Sequence, residues 1–211
     1  MFYNQNLRIS DFVKEYPNMI PDAVCDDLVS TFDRAKDLHQ EGEITDAKGY
    51  NKIDKSVKDS FDIMITGYPE FKNADKVMHK YALKALHKYI KEVPLFDISA
   101  QGFAAHNPDD QYLKFETMKL RKYPKGGFFK PHIDTVGPTT MDRLLAMIMY
   151  LNDVDEGGET KISGTPIKTK CEKGKILIKP CSWLVMHESA KNITGPKYIG
   201  VTFVRPIFLQ H

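Results

Sequence analysis

The stretch "RLLAMIMYL", residues 143–151, is apolar almost throughout and has no periodicity to separate a helix from a strand. Leu, Met and Ala favour helices. The run is short, however, and its neighbours read as strands, which makes it a strand buried on both faces. Those neighbours are "ETMKLRKY" (116–123), "FFKPHID" (128–134), "ETKI" (159–162), "TPIKT" (165–169), "KILIK" (175–179), "SWLVMHE" (182–188) and "KYIGVTFVR" (197–205). Gly, Pro and Asn-Asp punctuate the gaps between them. With 143–151 counted, about eight short strands follow one another without an intervening helix, the pattern of a sandwich, barrel or jelly roll.

Upstream, to about residue 95, the pattern turns helical. Pro21-Asp22 can open a helix in which Val24, Leu28, Phe32 and Ala35 share a face. A longer helix carries Val77, Met78, Tyr81, Ala82, Ala85, Leu86, Tyr89 and Ile90 at the helical period and stops before Pro94. Residues 41–69 read as a long connection with one short strand at "FDIMI" (61–65). The expected class is therefore α+β, with the N-terminal helices packed on the outside of a sheet.

At 211 residues the chain can form one well-cored domain, 1–211, with a helical part (1–95) and a β core (96–211). A hydrophobic fraction of 42% and a charged fraction of 27% are those of a soluble globular protein. The net charge of +2 speaks against a general polyanion binder. No signal-like N-terminus and no run of about 18 apolar residues occurs, so no membrane association is expected. Cys25, Cys171 and Cys181 are far apart and form no C-x-x-C pair, which fits a reducing cytoplasm.

Chemistry is concentrated in "GGFFKPHIDT" (126–135). His132 and Asp134 are two apart, so on an extended chain they face the same way and can offer a nitrogen and an oxygen to one ion. Alone, the pair is a weak signal, and a pair of polar residues in a turn is the commoner reading. Of seven histidines, His39, His79, His87, His106 and His211 read as surface or packing residues. His187 is placed differently, at the end of an apolar strand with Trp183 and Val185 on its face. Two histidines and a carboxylate suit a non-haem Fe(II) oxygenase, which leaves three positions open. They also suit a zinc hydrolase, which keeps one for water.

Ten residues after His187, in "HESAKNITGPKYIGVTF", stands Lys197. The ordered set "LRKYPKGGFFKPHIDT", "RLLAMIMYLNDVDEGGET", "KGKILIKP", "WLVMHES" and "ITGPKYIGVTF", within residues 116–205, resembles the Fe(II)- and 2-oxoglutarate-dependent dioxygenases, in their prolyl 4-hydroxylase-like branch. The resemblance implies a double-stranded β-helix (jelly-roll) core of about eight strands. It further implies Fe(II) on His132, Asp134 and His187, and Lys197 on the far carboxylate of the co-substrate 2-oxoglutarate. Tyr150 would be a second donor to that carboxylate, and Tyr123 would line the pocket near the metal. Thr202 and Arg205, further along the strand of Lys197, are second-line candidates. The reaction implied consumes O2, hydroxylates a C–H bond and releases succinate and CO2, with ascorbate as an accessory reductant. Asp134 favours hydroxylation over halogenation, because related halogenases carry a small residue there.

A peptidyl proline is the substrate the branch implies, with a free amino acid or other small molecule as the alternative. Loops 97–114 and 135–142 would shape the mouth. Lys72, Lys76, Lys80, Lys84 and Lys88 recur every four residues and could track a nucleic acid, but a solvated helix face is the expected role. A non-catalytic module that kept the fold would have lost one of the triad or Lys197, and all four are present. Oligomeric state has no signature in the chain.

Overall fold

The computed structural model describes residues 6–46, 49–96 and 112–207. Along the chain come β1 (Lys14–Tyr16), α1 (Asp22–Arg34), β2 (Gln40–Glu41), β3 (Glu43–Thr45), β4 (Asn51–Ile53), β5 (Phe61–Met64) and α2 (Lys72–Glu92). The second half holds β6 (Leu113–Phe115), β7 (Lys119–Tyr123), β8 (Phe129–His132), β9 (Leu145–Tyr150), β10 (Thr160–Ile162) and β11 (Lys168–Thr169). It ends with β12 (Ile176–Pro180), β13 (His187–Ser189) and β14 (Lys197–Pro206).

Residues 145–150 are a strand, as the flanking pattern predicts, and all six are buried. β9 lies between β12 and β14 in an eight-stranded sheet of order β1-β12-β9-β14-β7-β5-β2, with β6 on β14. A second sheet has the order β11-β10-β13-β8, and β3 pairs β4 in a hairpin. Every named strand pair is antiparallel.

Both faces of the large sheet are covered, and this explains the unbroken apolar run. Leu145, Met147 and Met149 join a cluster with Cys25, Leu28 and Phe32 of α1 and Met78, Ala82 and Leu86 of α2. Ile148 and Tyr150 point the other way, into a cluster with Ile162 and Cys171 beside the second sheet. The alternation is the ordinary two-residue strand period. Each large side chain fully buried here contributes on the order of 1.5–3 kcal/mol. At Gly200 on β14 a Cβ would stand 2.5 Å from Met78 Cε, so glycine lets α2 settle against the sheet.

Three expectations need correction. Residues 182–188 are not one strand: Trp183–Val185 is a 3-10 turn with Ser182 Oγ accepting from the Leu184 amide, and β13 starts only at His187. Trp183 is therefore 75% exposed while Val185 is buried, and the two share no face. Next, the connection at 41–69 holds more than "FDIMI", since β2 and the β3–β4 hairpin precede β5. The hairpin's outer strand is exposed at all three positions, so no alternation marks it. Finally, the mostly helical first 95 residues also hold β1 and β2, which lie at the two ends of the large sheet beside the expected strand β5. Edge strands of two or three residues are too short to register as a pattern. Of the loop at 97–114, residues 97–111 lie outside the described residues, as do His106 and His211.

Candidate active site

The two sheets enclose a cavity of about 600 Å³. His132 ends β8 and His187 begins β13, and the two are register partners. Their rings stand 4.2 Å apart, centre to centre. Asp134 follows His132 by two residues, with Oδ1 3.9 Å from His132 Nε2 and Oδ2 3.6 Å from His187 Nε2. One ligand atom from each of the three lies within 4.8 Å of the others. His132 Nδ1 is 2.8 Å from the Lys130 carbonyl and His187 Nδ1 is 3.3 Å from that of Val185. A ring N–H donated to a carbonyl leaves Nε2 as the free lone pair, the arrangement that orients a metal ligand.

Burial pushes His132 down to about 4, against the pull of Asp134, and pushes His187 well below its ordinary value. For Asp134 burial works against ionisation, but Lys179 and the two histidines outweigh it and hold the carboxyl well below the usual range. The site thus presents two neutral imidazoles and one carboxylate near neutral pH. That donor set fits a first-row divalent cation.

Lys197 opens β14 and is paired in register with Tyr123. Its ammonium is fully buried, 2.7 Å from the Gly158 carbonyl and 2.9 Å from Ser189 Oγ. The rings of Tyr123 and Tyr150 flank it at 5.3 and 5.5 Å. No carboxylate lies within ion-pair reach of it among the described residues. Burial pushes this ammonium down, with Cys171 pulling the other way. A buried cation with only neutral partners is costly unless an anion joins it. Lys197 also lines the cavity, so an anion bound there can reach it. Tyr150 spends its hydroxyl on Thr160 Oγ1, 2.7 Å away, beside that position.

The structure therefore brings together His132, Asp134, His187, Lys197, Tyr123 and Tyr150. It separates the two second-line residues from them. Thr202 does not line the cavity and donates to the Glu116 carbonyl. Arg205, eight residues along β14 from Lys197, is held by Glu116, Asp142 and the Thr139 carbonyl. His39 stacks on Phe32, His79 bonds the Asp75 carbonyl and His87 is exposed, all away from the cavity. The five lysines at 72–88 are all exposed on α2, and none lines the cavity.

Several neighbours of the site escaped the sequence reading. Lys179 on β12 is fully buried and pairs with Asp134 Oδ2 at 2.5 Å. Two-residue alternation from the buried Leu177 would have placed it on the cavity face. Arg143 donates Nη1 to the Asp134 carbonyl at 2.9 Å and is clamped by both oxygens of Glu116. Gly158, with φ +73°, turns its carbonyl toward Lys197 in a conformation open to glycine.

Residues 118–205 match the family model described as the 2OG-Fe(II) oxygenase superfamily. No curated protein sequence matches the chain significantly. Among solved structures, the fold is similar to that of a viral collagen prolyl hydroxylase from Paramecium Bursaria Chlorella virus-1, in its 2OG complex. There the identity is 15%, the TM-score 0.62, and the coverage 93% of this chain and 96% of that one. A Pseudomonas putida prolyl-4-hydroxylase gives 14%, 0.63, and 92% of each chain. A prolyl hydroxylase from Trichoplax adhaerens, in complex with a hypoxia inducible factor oxygen degradation domain peptide fragment, gives 14%, 0.66, and 93% and 84%. At such identities the likeness is one of fold.

Proposed function

We propose, from the premise that residues 118–205 belong to the 2OG-Fe(II) oxygenase superfamily, that this enzyme hydroxylates a C–H bond of a peptidyl proline. His132, Asp134 and His187 are its Fe(II) ligands, and Lys197 anchors the far carboxylate of 2-oxoglutarate. The observation that carries this reading is the pairing of the two sites in one cavity. A three-ligand cluster of the right chemistry shares the cavity with a buried lysine that has no counter-ion among the described residues.

Bound together, Fe(II) and 2-oxoglutarate supply the oxidation of a C–H bond by O2, with 2-oxoglutarate leaving as succinate and CO2. The chain supplies position and surroundings. The Lys130 and Val185 carbonyls fix the two imidazoles, and Phe129 stacks on His132. Arg143 and Lys179 hold the backbone and the carboxylate of Asp134. Lys197 offers one charged contact, with the Tyr150–Thr160 hydroxyl pair beside it. Apolar walls from Ile148, Ile199 and Val201 limit water in the cavity.

The whole chain is read as one catalytic domain. Its two facing sheets form a double-stranded β-helix with α1 and α2 on the outer face, and the similar prolyl hydroxylase folds support this. No described helix is long and apolar enough to cross a membrane. Three free, buried cysteines support a reducing compartment such as the cytoplasm.

The test is direct. The iron-loaded protein should convert 2-oxoglutarate to succinate slowly without substrate and only in the presence of O2. With pools of proline peptides and amino acids, one component should gain 16 daltons, the mass of one oxygen atom. Turnover sustained by zinc without O2 would move the reading to a hydrolase.

A further inference from the structure

β7 sends Lys119, Arg121 and Tyr123 into the cavity, while Leu120 between them faces the helices. Three further cations line the same cavity: Lys58 and Arg143, which lie outside the strands, and Lys197 on β14. Glu43 on the cavity rim is exposed, and the carboxylates paired with these cations are already engaged. Asp62 is clasped by Arg121 through both oxygens at 2.7 Å, with Lys58 on Oδ2 at 3.4 Å. Glu116 is clasped by Arg143 through both oxygens at 2.7 Å and also holds Arg205. Glu188, on the same cavity, faces Lys161 at 3.6 Å. Lys179 is matched by Asp134.

Lys119 is left over. It is within electrostatic reach of both the Arg121–Asp62 and Arg143–Glu116 pairs and has no hydrogen bond or ion pair of its own among the described residues. Burial pushes its ammonium down and Arg121 and Arg143 add repulsion, against the pull of Asp62 and Glu116. A direct anionic partner at Lys119 would offset the burial and the repulsion.

Lys197 cannot share its carboxylate with Lys119. In the β7–β14 register Lys197 pairs with Tyr123 and Val201 with Lys119. Four strand residues separate the two cations, about 13 Å at the usual rise. The reaction centre lies between them. Lys197 bonds Ser189, two residues past His187, whereas Arg143 beside Lys119 bonds the Asp134 carbonyl on the other side. The cavity therefore has two cationic ends with the metal cluster in the middle. One end suits the co-substrate; the other opens to whatever is oxidised.

We infer that Lys119 receives a carboxylate carried by the primary substrate, so that the carbon oxidised lies close to a carboxylate group. This rests on the assignment of the triad as reaction centre and of Lys197 as co-substrate anchor. The carboxylate is either the substrate proline's own, if the amino acid is free, or an acidic side chain next to it in a peptide.

Four probes separate these sources: L-proline, L-prolinamide, N-acetyl-Gly-Pro-Glu-amide and its Gln counterpart. Binding is measured by calorimetry to full-length protein loaded with Mn(II) and 2-oxoglutarate under argon. The acidic member of at least one pair should bind roughly tenfold to a hundredfold more tightly than its neutral partner, as expected for a charged hydrogen bond. The preference should vanish in Lys119→Met and survive in part in Lys119→Arg. Equal binding within both pairs, no binding by any probe, or a preference that persists in Lys119→Met overturns the inference. A crystal of the wild-type protein with the preferred acidic probe needs no variant. Its carboxylate should lie within hydrogen-bond distance of Lys119 Nζ, and a carboxylate turned to solvent overturns the inference as well. Wild-type conversion of 2-oxoglutarate to succinate is scored separately. If that is absent, the oxygenase assignment fails rather than the role of Lys119.

Discussion

The two faces of the large sheet are built from the same strands and differ in almost everything else. Toward α1 and α2 the strands present Leu120, Leu145, Met147, Met149, Ile176 and Ile178, an apolar layer against apolar helices. Toward the second sheet they present Lys119, Arg121, Tyr123, Tyr150, Lys179 and Lys197. The outer face holds the chain together by area. The inner face spends that stability on buried charge, each cation matched by a partner or left open for a ligand. If this division is right, substitutions on the inner face should sort by what each charge is matched to.

The largest effect is expected at the metal cluster. His187→Ala removes one of the three proposed ligands from a rigid sheet, so the protein should lose stoichiometric Fe(II) binding and nearly all turnover while keeping its circular dichroism. Metal content after gel filtration checks this. A His187→Ala protein that turned over like the parent would remove the triad assignment.

Next comes Asp62, which matches two cations at once. Asp62→Ala strands the Arg121 guanidinium and the Lys58 ammonium inside the protein. Breaking a buried pair in this way costs about 3–5 kcal/mol. Urea unfolding should show a loss on that scale, comparable to truncating Phe32 on the outer face. A loss under 1 kcal/mol, the size of a surface pair, would mean that water reaches the site and that the inner face is not dry.

The same division governs what could be read from the chain. α2 was legible because Met78, Ala82, Ala85, Leu86 and Tyr89 repeat the helical period against one apolar layer. β9 was legible from its neighbours. The H-x-D pair, His187 and Lys197 were singled out by spacing and the family resemblance together, and the structure brings them to one cavity. The inner ion pairs were not legible: Asp62 and Arg121 are 59 residues apart, and only the β5–β7 register makes them neighbours. The turn at Trp183–Val185 was missed for a local reason. Its apolar residues look like a strand, and only the Ser182 cap and the exposure of Trp183 reveal otherwise. Periodicity reports what a residue packs against, and it is silent on which distant charge it meets.

A smaller effect is expected at Lys197. Its ammonium already holds two neutral acceptors, Gly158 O and Ser189 Oγ, so its loss removes a ligand contact without stranding a charge. A hydrogen bond to a charged group contributes roughly 1.5–3 kcal/mol. Lys197→Ala should therefore raise the 2-oxoglutarate requirement roughly tenfold to a hundredfold and leave Fe(II) binding nearly intact. Arginine should rescue only in part, because its planar fork does not fill the space of an ammonium between two tyrosines. An unchanged 2-oxoglutarate dependence would place the anchor elsewhere in the cavity.

The smallest effect is expected on the lysines of α2, which lie on neither face of the sheet. Lys72, Lys76, Lys80, Lys84 and Lys88 are exposed, and the only ion pair among them is Lys88–Glu92 at 3.9 Å among the described residues. Exposed pairs of this kind contribute little. Replacing Lys76, Lys80 and Lys84 together by Gln should leave turnover and the urea midpoint where they are. If this face has no nucleic-acid partner it neutralises no phosphates and displaces none of their counter-ions, so wild-type affinity for an oligonucleotide should be weak at physiological salt and alike in the triple variant. Steep salt dependence that disappears with those three lysines would give α2 a partner of its own. The sheet's outer cover would then be a second working surface rather than a packing layer.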